Sequence, residues 1–186
     1  MSEAEALKIV ADLMCLAART APKTRGVDVI LTRVADEADR ARLADEMQRI
    51  AQTENQAFFL RDANNLRAAG ACVLVAATAK PAGLKVCGTC GFESCAACTQ
   101  AGAVCAFNHI DLGIAAASAA GVAALHHADC RIMYSIGMAA QRLRLFGQET
   151  VGILGIPLSA TGKSPFFDRP PPGPNSTTPP GSASVR

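Results

Sequence analysis

Apolar residues recur at helical spacing along the first part of the chain. Leu7, Val10 and Met14 follow one another three or four residues apart, which places them on one face of an α-helix. The spacing predicts a helix over residues 4–20, with Pro22 just beyond its end. The same reasoning predicts further helices over residues 36–52, 54–69, 111–126 and 136–145.

Short apolar runs between these helices predict strands. Residues 27–31 carry β-branched side chains on both faces, and residues 72–76 read Cys-Val-Leu-Val-Ala without a polar residue. Both runs are typical of strands that are buried on both faces. Residues 151–156 predict a last strand, in which two glycines indicate close approach of another backbone. Asp111 is expected to cap the Ala-rich helix that follows it.

The composition bounds the size and the partners of the protein. The chain has 186 residues, which is enough for one domain with a single core. Its net charge of +2 is too small for a general nucleic-acid binder. With no Trp and one Tyr, it also lacks the aromatic side chains on which bases stack. We therefore predict no nucleic-acid partner.

The termini and the most apolar stretch indicate a compartment. The first five residues are acidic, with no basic flank, apolar core or cleavage site of a secretory signal. The stretch Ile110 to Leu125 is shorter than a membrane-spanning helix and is interrupted by Asp111. We predict that it is a buried helix, that the protein is cytoplasmic, and that it does not associate with a membrane.

The composition changes abruptly at Pro170. Six of the ten prolines lie in the last 17 residues, together with Ser, Thr and Gly. Such a segment cannot bury enough apolar surface to order itself. The sequence therefore predicts one domain over residues 1–169 and a disordered tail over 170–186.

Cysteines are concentrated in one short segment. Five of the eight lie within 19 residues; they are Cys87, Cys90, Cys95, Cys98 and Cys105. In a cytoplasmic chain, whose thiols are kept reduced, such clustering indicates a metal or redox site rather than disulfides. Thiolates are the ligands that iron–sulfur clusters and zinc require. The other three, Cys15, Cys72 and Cys130, are interpreted as small buried residues.

The spacing favours an iron–sulfur cluster over zinc. Zinc ribbons separate their two cysteine pairs by about 15–20 residues, whereas only four residues separate Cys90 from Cys95. The cluster type stays open at this point. Cys90-x4-Cys95-x2-Cys98 also matches the spacing of plant-type [2Fe–2S] ferredoxins, for which Cys130 would be a distant fourth ligand.

The string Cys-Gly-x-Cys-Gly-x-x-x-Cys over residues 87–95 resembles the four-cysteine [4Fe–4S] modules of electron-transfer and corrinoid proteins from anaerobes. In those modules the fourth cysteine comes later in the chain. The resemblance implies Cys87, Cys90, Cys95 and Cys105 as the ligands. Cys98 is then a near neighbour of the cluster or the alternative fourth ligand.

Further strings resemble a bacterial and archaeal family of ferredoxin-domain-containing proteins, and together they cover most of residues 5–169. They are Ala18–Gly26, the cysteine segment, Cys105–Ile114, Asp129–Gly137 and Gly155–Arg169. This resemblance implies that the chain binds a cluster.

A more distant resemblance is to the flavin-dependent nitroreductase fold. It rests on Ala17-Ala-Arg-Thr-Ala-Pro22, on the strand and acidic helix start that follow, and on the strand at residues 151–157 with basic residues after it. The resemblance implies an α+β fold with a mixed sheet flanked by helices, and a homodimer. The cysteine segment, residues 84–108, would be an insertion before the long central helix.

The nitroreductase resemblance also implies an anionic cofactor such as FMN, held by Arg19, Lys163 and Arg169. The match is incomplete after Ala-Pro, where the flavin-binding pattern has Ser, Asn and Gln. This chain instead has Lys23, Gly26 and Asp28.

Three functional hypotheses follow from these patterns. The leading one is a redox protein with one [4Fe–4S] cluster that exchanges single electrons with a partner protein, a small-molecule substrate or a flavin. The second is a module whose metal is only structural and whose role is docking. The third is a non-redox enzyme in which an iron without a protein thiolate acts as a Lewis acid. Hydrolase and kinase motifs are absent from the sequence.

Overall fold

The computed structural model describes residues 2–147 and 150–167. Within them the chain forms an α+β fold of helices and one four-stranded sheet. In chain order the elements are α1 (Glu3–Thr20), β1 (Ile30–Val34), α2 (Glu37–Thr53), α3 (Ala57–Ala68), β2 (Ala71–Ala77), α4 (Cys95–Gln100), α5 (Ala106–Leu125), β3 (Asp129–Cys130), α6 (Tyr134–Arg142) and β4 (Gly152–Ser159). The predicted tail over residues 170–186 lies outside the described residues.

Polar caps set the starts of the first two helices. At α1 the Ser2 side chain accepts a hydrogen bond from the Glu5 backbone N–H, and the Glu5 carboxylate accepts one from the Ser2 N–H at 2.6 Å. At α2 the Asp36 carboxylate accepts from the Asp39 N–H at 2.7 Å. These contacts satisfy backbone donors that have no partner within a helix, and they explain why both helices begin close to the predicted positions.

The sheet has the strand order β1-β2-β4-β3. Ile30 of β1 pairs with Ala77 of β2, and Ala77 pairs with Gly152 of β4. Each pairing between the described strands is antiparallel. The expected α+β fold is confirmed, but these strands form an antiparallel sheet where the resemblance implied a mixed one.

Helices cover both faces of the sheet. All seven residues of β2 are buried, and alternate side chains of a strand point to opposite faces. Val73 and Val75 pack with α1 and α5 on one face. Cys72 and Leu74 pack with α2, α3 and α6 on the other. The fold therefore has three layers, with the sheet between two helical layers.

The first strand begins at Ile30 rather than at the predicted residue 27. The carboxylate of Asp28 accepts a hydrogen bond from the Ile30 N–H at 3.1 Å and forms an ion pair with Arg19. This local side-chain contact occupies the Ile30 N–H at the start of the strand, an effect that the apolar pattern alone does not reveal.

The Ala-rich helix α5 begins at Ala106, so the prediction that Asp111 caps it is wrong. Asp111 lies inside the helix, 3% exposed, because its carboxylate accepts hydrogen bonds from Thr24. Among the described residues, α5 is the one helix long and apolar enough to cross a membrane. Its Ala115 and Ala119 are fully buried against the sheet, as in the core helix of a globular domain.

The helix α6 and the strand β4 approach each other closely at Gly137. A Cβ atom added there would lie 1.7 Å from the Ile153 carbonyl oxygen. Gly155 on the strand likewise faces Ile136, whose Cγ2 would lie 2.2 Å from an added Cβ. The two glycines therefore set the distance between this helix and the sheet.

Replacing Gly137 with Ala should destabilise the fold, because α6 must move away from β4. We expect the free energy of unfolding to fall by about 1–3 kcal/mol or more, as for other overpacked core sites. Gly162→Ala is the matched control, since an added Cβ there meets nothing within 4 Å and the residue lies in the loop after β4. Urea unfolding of the two variants in the same metal state measures the difference. Equal stabilities would contradict the close approach.

Candidate metal centre

All five clustered cysteines line one cavity at the surface of the domain. Its other lining residues are Pro81, Thr89, Phe92, Ser94, Ala106 and Phe107. The cavity lies between the segment that follows β2 and the start of α5. Its lining therefore combines several thiols with apolar side chains and two hydroxyls, and it contains no carboxylate or imidazole.

Cys87 and Cys90 are brought to the cavity by a tight turn. The Gly91 N–H donates to the Gly88 carbonyl at 2.9 Å, and Gly91 has a φ of +83°, a conformation that favours glycine. The backbone N–H and the hydroxyl of Thr89 hydrogen-bond the Cys87 sulfur and lower the pKa of this thiol. The turn thus stabilises a thiolate at its first position.

Cys95 and Cys98 lie one turn apart on the short helix α4. The Ser94 side chain caps this helix by accepting from the Ala97 N–H at 3.1 Å. Residues three apart on a helix lie on the same side, so both sulfurs face the cavity. Cys95 is half-buried, whereas Cys98 is only 1% exposed.

Cys98 is surrounded by the other sulfurs. Burial raises the pKa of the Cys98 thiol, and Cys90, Cys105 and Cys95 raise it further. Its sulfur lies 3.5 Å from the Ala103 carbonyl oxygen, to which the S–H donates. These contacts favour the protonated form of Cys98.

Cys105 lies immediately before α5 and is 6% exposed. It is the N-cap residue of a 20-residue helix. The start of α5 therefore fixes the position of the Cys105 sulfur at the edge of the cavity.

The donor set fits an iron–sulfur cluster in its chemistry, because thiolates are the ligands of such clusters. Within the described ranges, no three His, Cys, Asp or Glu side chains form a group that could hold a metal ion. One zinc ion would need its thiolates about 2.3 Å from a single point. A cluster distributes its thiolates over several irons, and the same residue type serves both kinds of centre.

The other three cysteines lie elsewhere. Cys72 is fully buried in β2, and burial raises the pKa of its thiol to about 12. Cys15 and Cys130 are half-buried against the core between the sheet, α1 and α5, and burial raises the pKa of each thiol. Cys130 does not line the cavity. The fourth ligand that the plant-type [2Fe–2S] spacing requires is therefore not near the other cysteines.

Of the three predicted anion-binding residues, two lie among the described residues, at opposite ends of the sheet. Arg19 bonds the Asp28 carboxylate and the Ile30 carbonyl, near the end of the sheet where Ala77 pairs with Gly152. Lys163 is exposed and follows β4 beyond Ser159, at the opposite end. Arg169 lies outside the described residues. FMN binding stays a prediction, and no chemistry is derived through it.

Polar residues that hydrogen-bond the cysteine segment to the domain were not predicted from the sequence. Asn108 is 3% exposed; its side-chain amide donates to the Lys80 carbonyl at 2.8 Å, and its oxygen accepts from the Lys80 N–H at 3.4 Å. One signal was available. Asn108 and Asp111 are two polar residues, three apart, at the start of an otherwise Ala-rich helix.

Comparisons with known proteins identify a family and a relative of this chain. The family described as "Uncharacterized protein containing a ferredoxin domain (DUF2148)" matches residues 101–169. An "Uncharacterized protein" from Archaeoglobus fulgidus is 41% identical over 175 residues, which cover 90% of this chain and 94% of the relative.

A solved structure shares the fold. It is nitroreductase A from Vibrio parahaemolyticus, with a TM-score of 0.52 and 14% sequence identity. The match covers 84% of this chain and 60% of that structure, so the chain spans less than two thirds of the nitroreductase. At this identity the likeness concerns the fold alone.

Alkylation of the iron-free protein should separate the cysteines by environment. At about pH 7.5 we expect Cys87 to react fastest with iodoacetamide, because its lowered pKa provides more thiolate. Cys72 should react last, because its thiol is buried and its pKa is near 12. Mass spectrometry of time points measures the order, and urea-unfolded protein should lose it. Cys72 modified as fast as Cys87 in the folded protein would contradict this account.

Proposed function

Because the chain belongs to the family of uncharacterized proteins containing a ferredoxin domain, we propose that it is an iron–sulfur redox protein that carries one [4Fe–4S] cluster. The observation that carries the proposal is the cavity lined by five thiols from a turn, a short helix and a helix start. Thiolates in this number, without a carboxylate or imidazole beside them, suit iron and sulfide better than a hard cation.

The proposed ligands are Cys87, Cys90, Cys95 and Cys105. The Thr89 N–H and hydroxyl stabilise a thiolate at Cys87, and Cys105 lines the same cavity from the start of α5. Cys98 is the alternative fourth ligand. Its burial and its hydrogen bond to Ala103 favour a neutral thiol beside the cluster.

When bound, the cluster supplies reversible transfer of single electrons. The chain's own contribution is to fix the thiolates and to hydrogen-bond them, as the Thr89 N–H does at Cys87. Such N–H contacts raise the potential of a thiolate-bound centre, because they stabilise its more negative, reduced state. An acceptor or donor protein, or a small-molecule substrate, would complete the reaction.

The proposal places the protein in the cytoplasm. Free thiols persist in a reducing compartment, and an oxidising one would favour disulfides among five neighbouring cysteines.

The anaerobically purified protein should contain iron and sulfide in equal amounts, with a broad absorption band near about 400 nm and an EPR signal after reduction. A colourless protein with stoichiometric zinc would contradict the proposal. A cluster with no reversible potential would instead favour the structural, docking role. Flavin peaks in the same spectrum would report the predicted FMN.

Single Cys-to-Ser variants should identify the fourth ligand. We expect Cys105→Ser to lose most of its iron and sulfide, because it removes a ligand, and Cys98→Ser to retain both. Elemental analysis of the two variants beside the wild type is the measurement. The opposite result would assign Cys98 as the ligand. Full retention in both variants would indicate three protein ligands and an iron open to substrate, as in the non-redox hypothesis.

We also propose that two copies of the chain associate through the outer face of α5. Ile110, Ile114 and Leu125 lie along one side of this helix and are 43%, 38% and 78% exposed. Exposed apolar residues that form a continuous stripe are typical of protein interfaces. A second copy can cover the stripe with the same surface.

Introducing a charge into this stripe should separate the copies. Ile114→Glu is expected to give a monomer in light scattering after size exclusion, because a carboxylate would be desolvated in the interface. Leu60→Glu is the matched control, since Leu60 is 44% exposed on α3 in the other helical layer. A wild-type monomer, or dissociation by both substitutions, would contradict the assignment.

A further inference from the structure

The cysteine segment depends on its surroundings for its shape. Between β2 and α5 it contains one short helix, α4, and the turn closed by Gly91 and Gly88. None of its residues from Cys87 to Ala103 except Cys98 is buried. A stretch with so few internal contacts opens easily unless its ends are fixed.

Asn108 fixes the two ends to each other. It lies in the first turn of α5, three residues after Cys105, and its backbone N–H donates to the Cys105 carbonyl at 3.0 Å. Its side chain bonds both backbone groups of Lys80, which lies where the segment leaves the sheet. One buried side chain therefore sets the distance between the beginning of the segment and its last cysteine.

Arg25 and Thr24 tie the same region to the loop after α1. The Arg25 guanidinium donates to the Ala82 and Gly83 carbonyls at 2.9 and 3.1 Å. The Thr24 hydroxyl donates to Asp111 on α5 at 2.9 Å, and its backbone N–H donates to the same carboxylate. The backbone of Arg25 has a φ of +58°. This left-handed conformation is unfavourable for most residues other than glycine.

We propose that Asn108, Arg25 and the Thr24–Asp111 pair are positioning residues that hold the cysteine segment ready to bind its metal centre. The inference rests on the proposed function, and it assigns a role to residues outside the thiol set. Arg25 is exposed and Thr24 is half-buried, whereas Asn108 and Asp111 are each 3% exposed. Removing the hydrogen bonds of Arg25 or Thr24 should therefore loosen the segment more than it destabilises the domain.

The rate at which the centre is lost measures this role. The wild type is reconstituted anaerobically with ferrous iron and sulfide, and iron release to a ferrous chelator is followed by the decay of cluster absorption. Residues that orient metal ligands typically change metal affinity by about 10–100-fold. We expect Arg25→Asn and Asn108→Ala to release iron at least about tenfold faster than the wild type.

Arg25→Asn is the most informative variant, because Asn tolerates positive φ and so removes the guanidinium without adding strain. Its iron-free form should unfold at the wild-type temperature. Arg67→Asn is the matched control: Arg67 bonds Asp45 and Gln48 on α2, away from the segment, and should release iron at the wild-type rate. Equal release from wild type, Arg25→Asn and Arg67→Asn would overturn the proposal.

A second pair of variants covers the case in which Asn108→Ala fails to fold. Thr24→Ser keeps the hydroxyl that bonds Asp111, whereas Thr24→Val removes it with little change in shape. Faster release from Thr24→Val, with Thr24→Ser near the wild-type rate, supports the proposal, and equal rates for the two oppose it. Failure of the wild type to take up any iron is a separate result, visible before any variant is made, and it would overturn the proposed function itself.

Discussion

The complete burial of β2 is the constraint on which the rest of the structure depends. A strand with no exposed residue needs a partner strand on each edge and a helical layer on each face, because its backbone polar groups and both sets of side chains are removed from water. β1 and β4 occupy the edges. α1 with α5, and α2 with α3 and α6, occupy the faces.

The position of the cysteine cavity follows from this arrangement. The chain leaves β2 at Ala77 and must return to lay α5 on the sheet, so the two ends of the intervening segment are close by construction. Cys105 stands at the returning end and Lys80 at the departing end. The core therefore brings the two ends of the loop near each other, which offsets part of the entropic cost of closing it, and the Asn108–Lys80 hydrogen bonds then fix the distance between them.

Local signals in the sequence were sufficient for the central elements. The unbroken apolar run at 72–76 identifies β2, and the spacing of Leu7, Val10 and Met14 identifies α1. The clustering of cysteines also indicated which residues would share a cavity. In each case the pattern that predicts the feature lies within a short stretch of sequence.

Long-range contacts account for what the sequence did not reveal. Asp is a residue type that often caps helices. The carboxylate of Asp111 instead accepts a hydrogen bond from Thr24, which lies 87 residues away in the sequence. Arg19 forms an ion pair with Asp28, a contact that its residue type alone does not reveal. The residue type determines which hydrogen bonds and ion pairs a side chain can form. The fold determines which partner lies close enough to form them.

Desolvation limits how many of the five thiols can be charged at once. Thiolates in one cavity repel each other, and the repulsion is largest at the most enclosed sulfur, since water cannot screen it there. Cys98 is that sulfur, whereas Cys87 is more exposed and is hydrogen-bonded by Thr89. Burial and the neighbouring sulfurs hold the pKa of the Cys98 thiol above its usual value, whereas Thr89 holds that of Cys87 below it. The cavity therefore distinguishes its thiols by their surroundings, a difference that their spacing along the chain does not reveal.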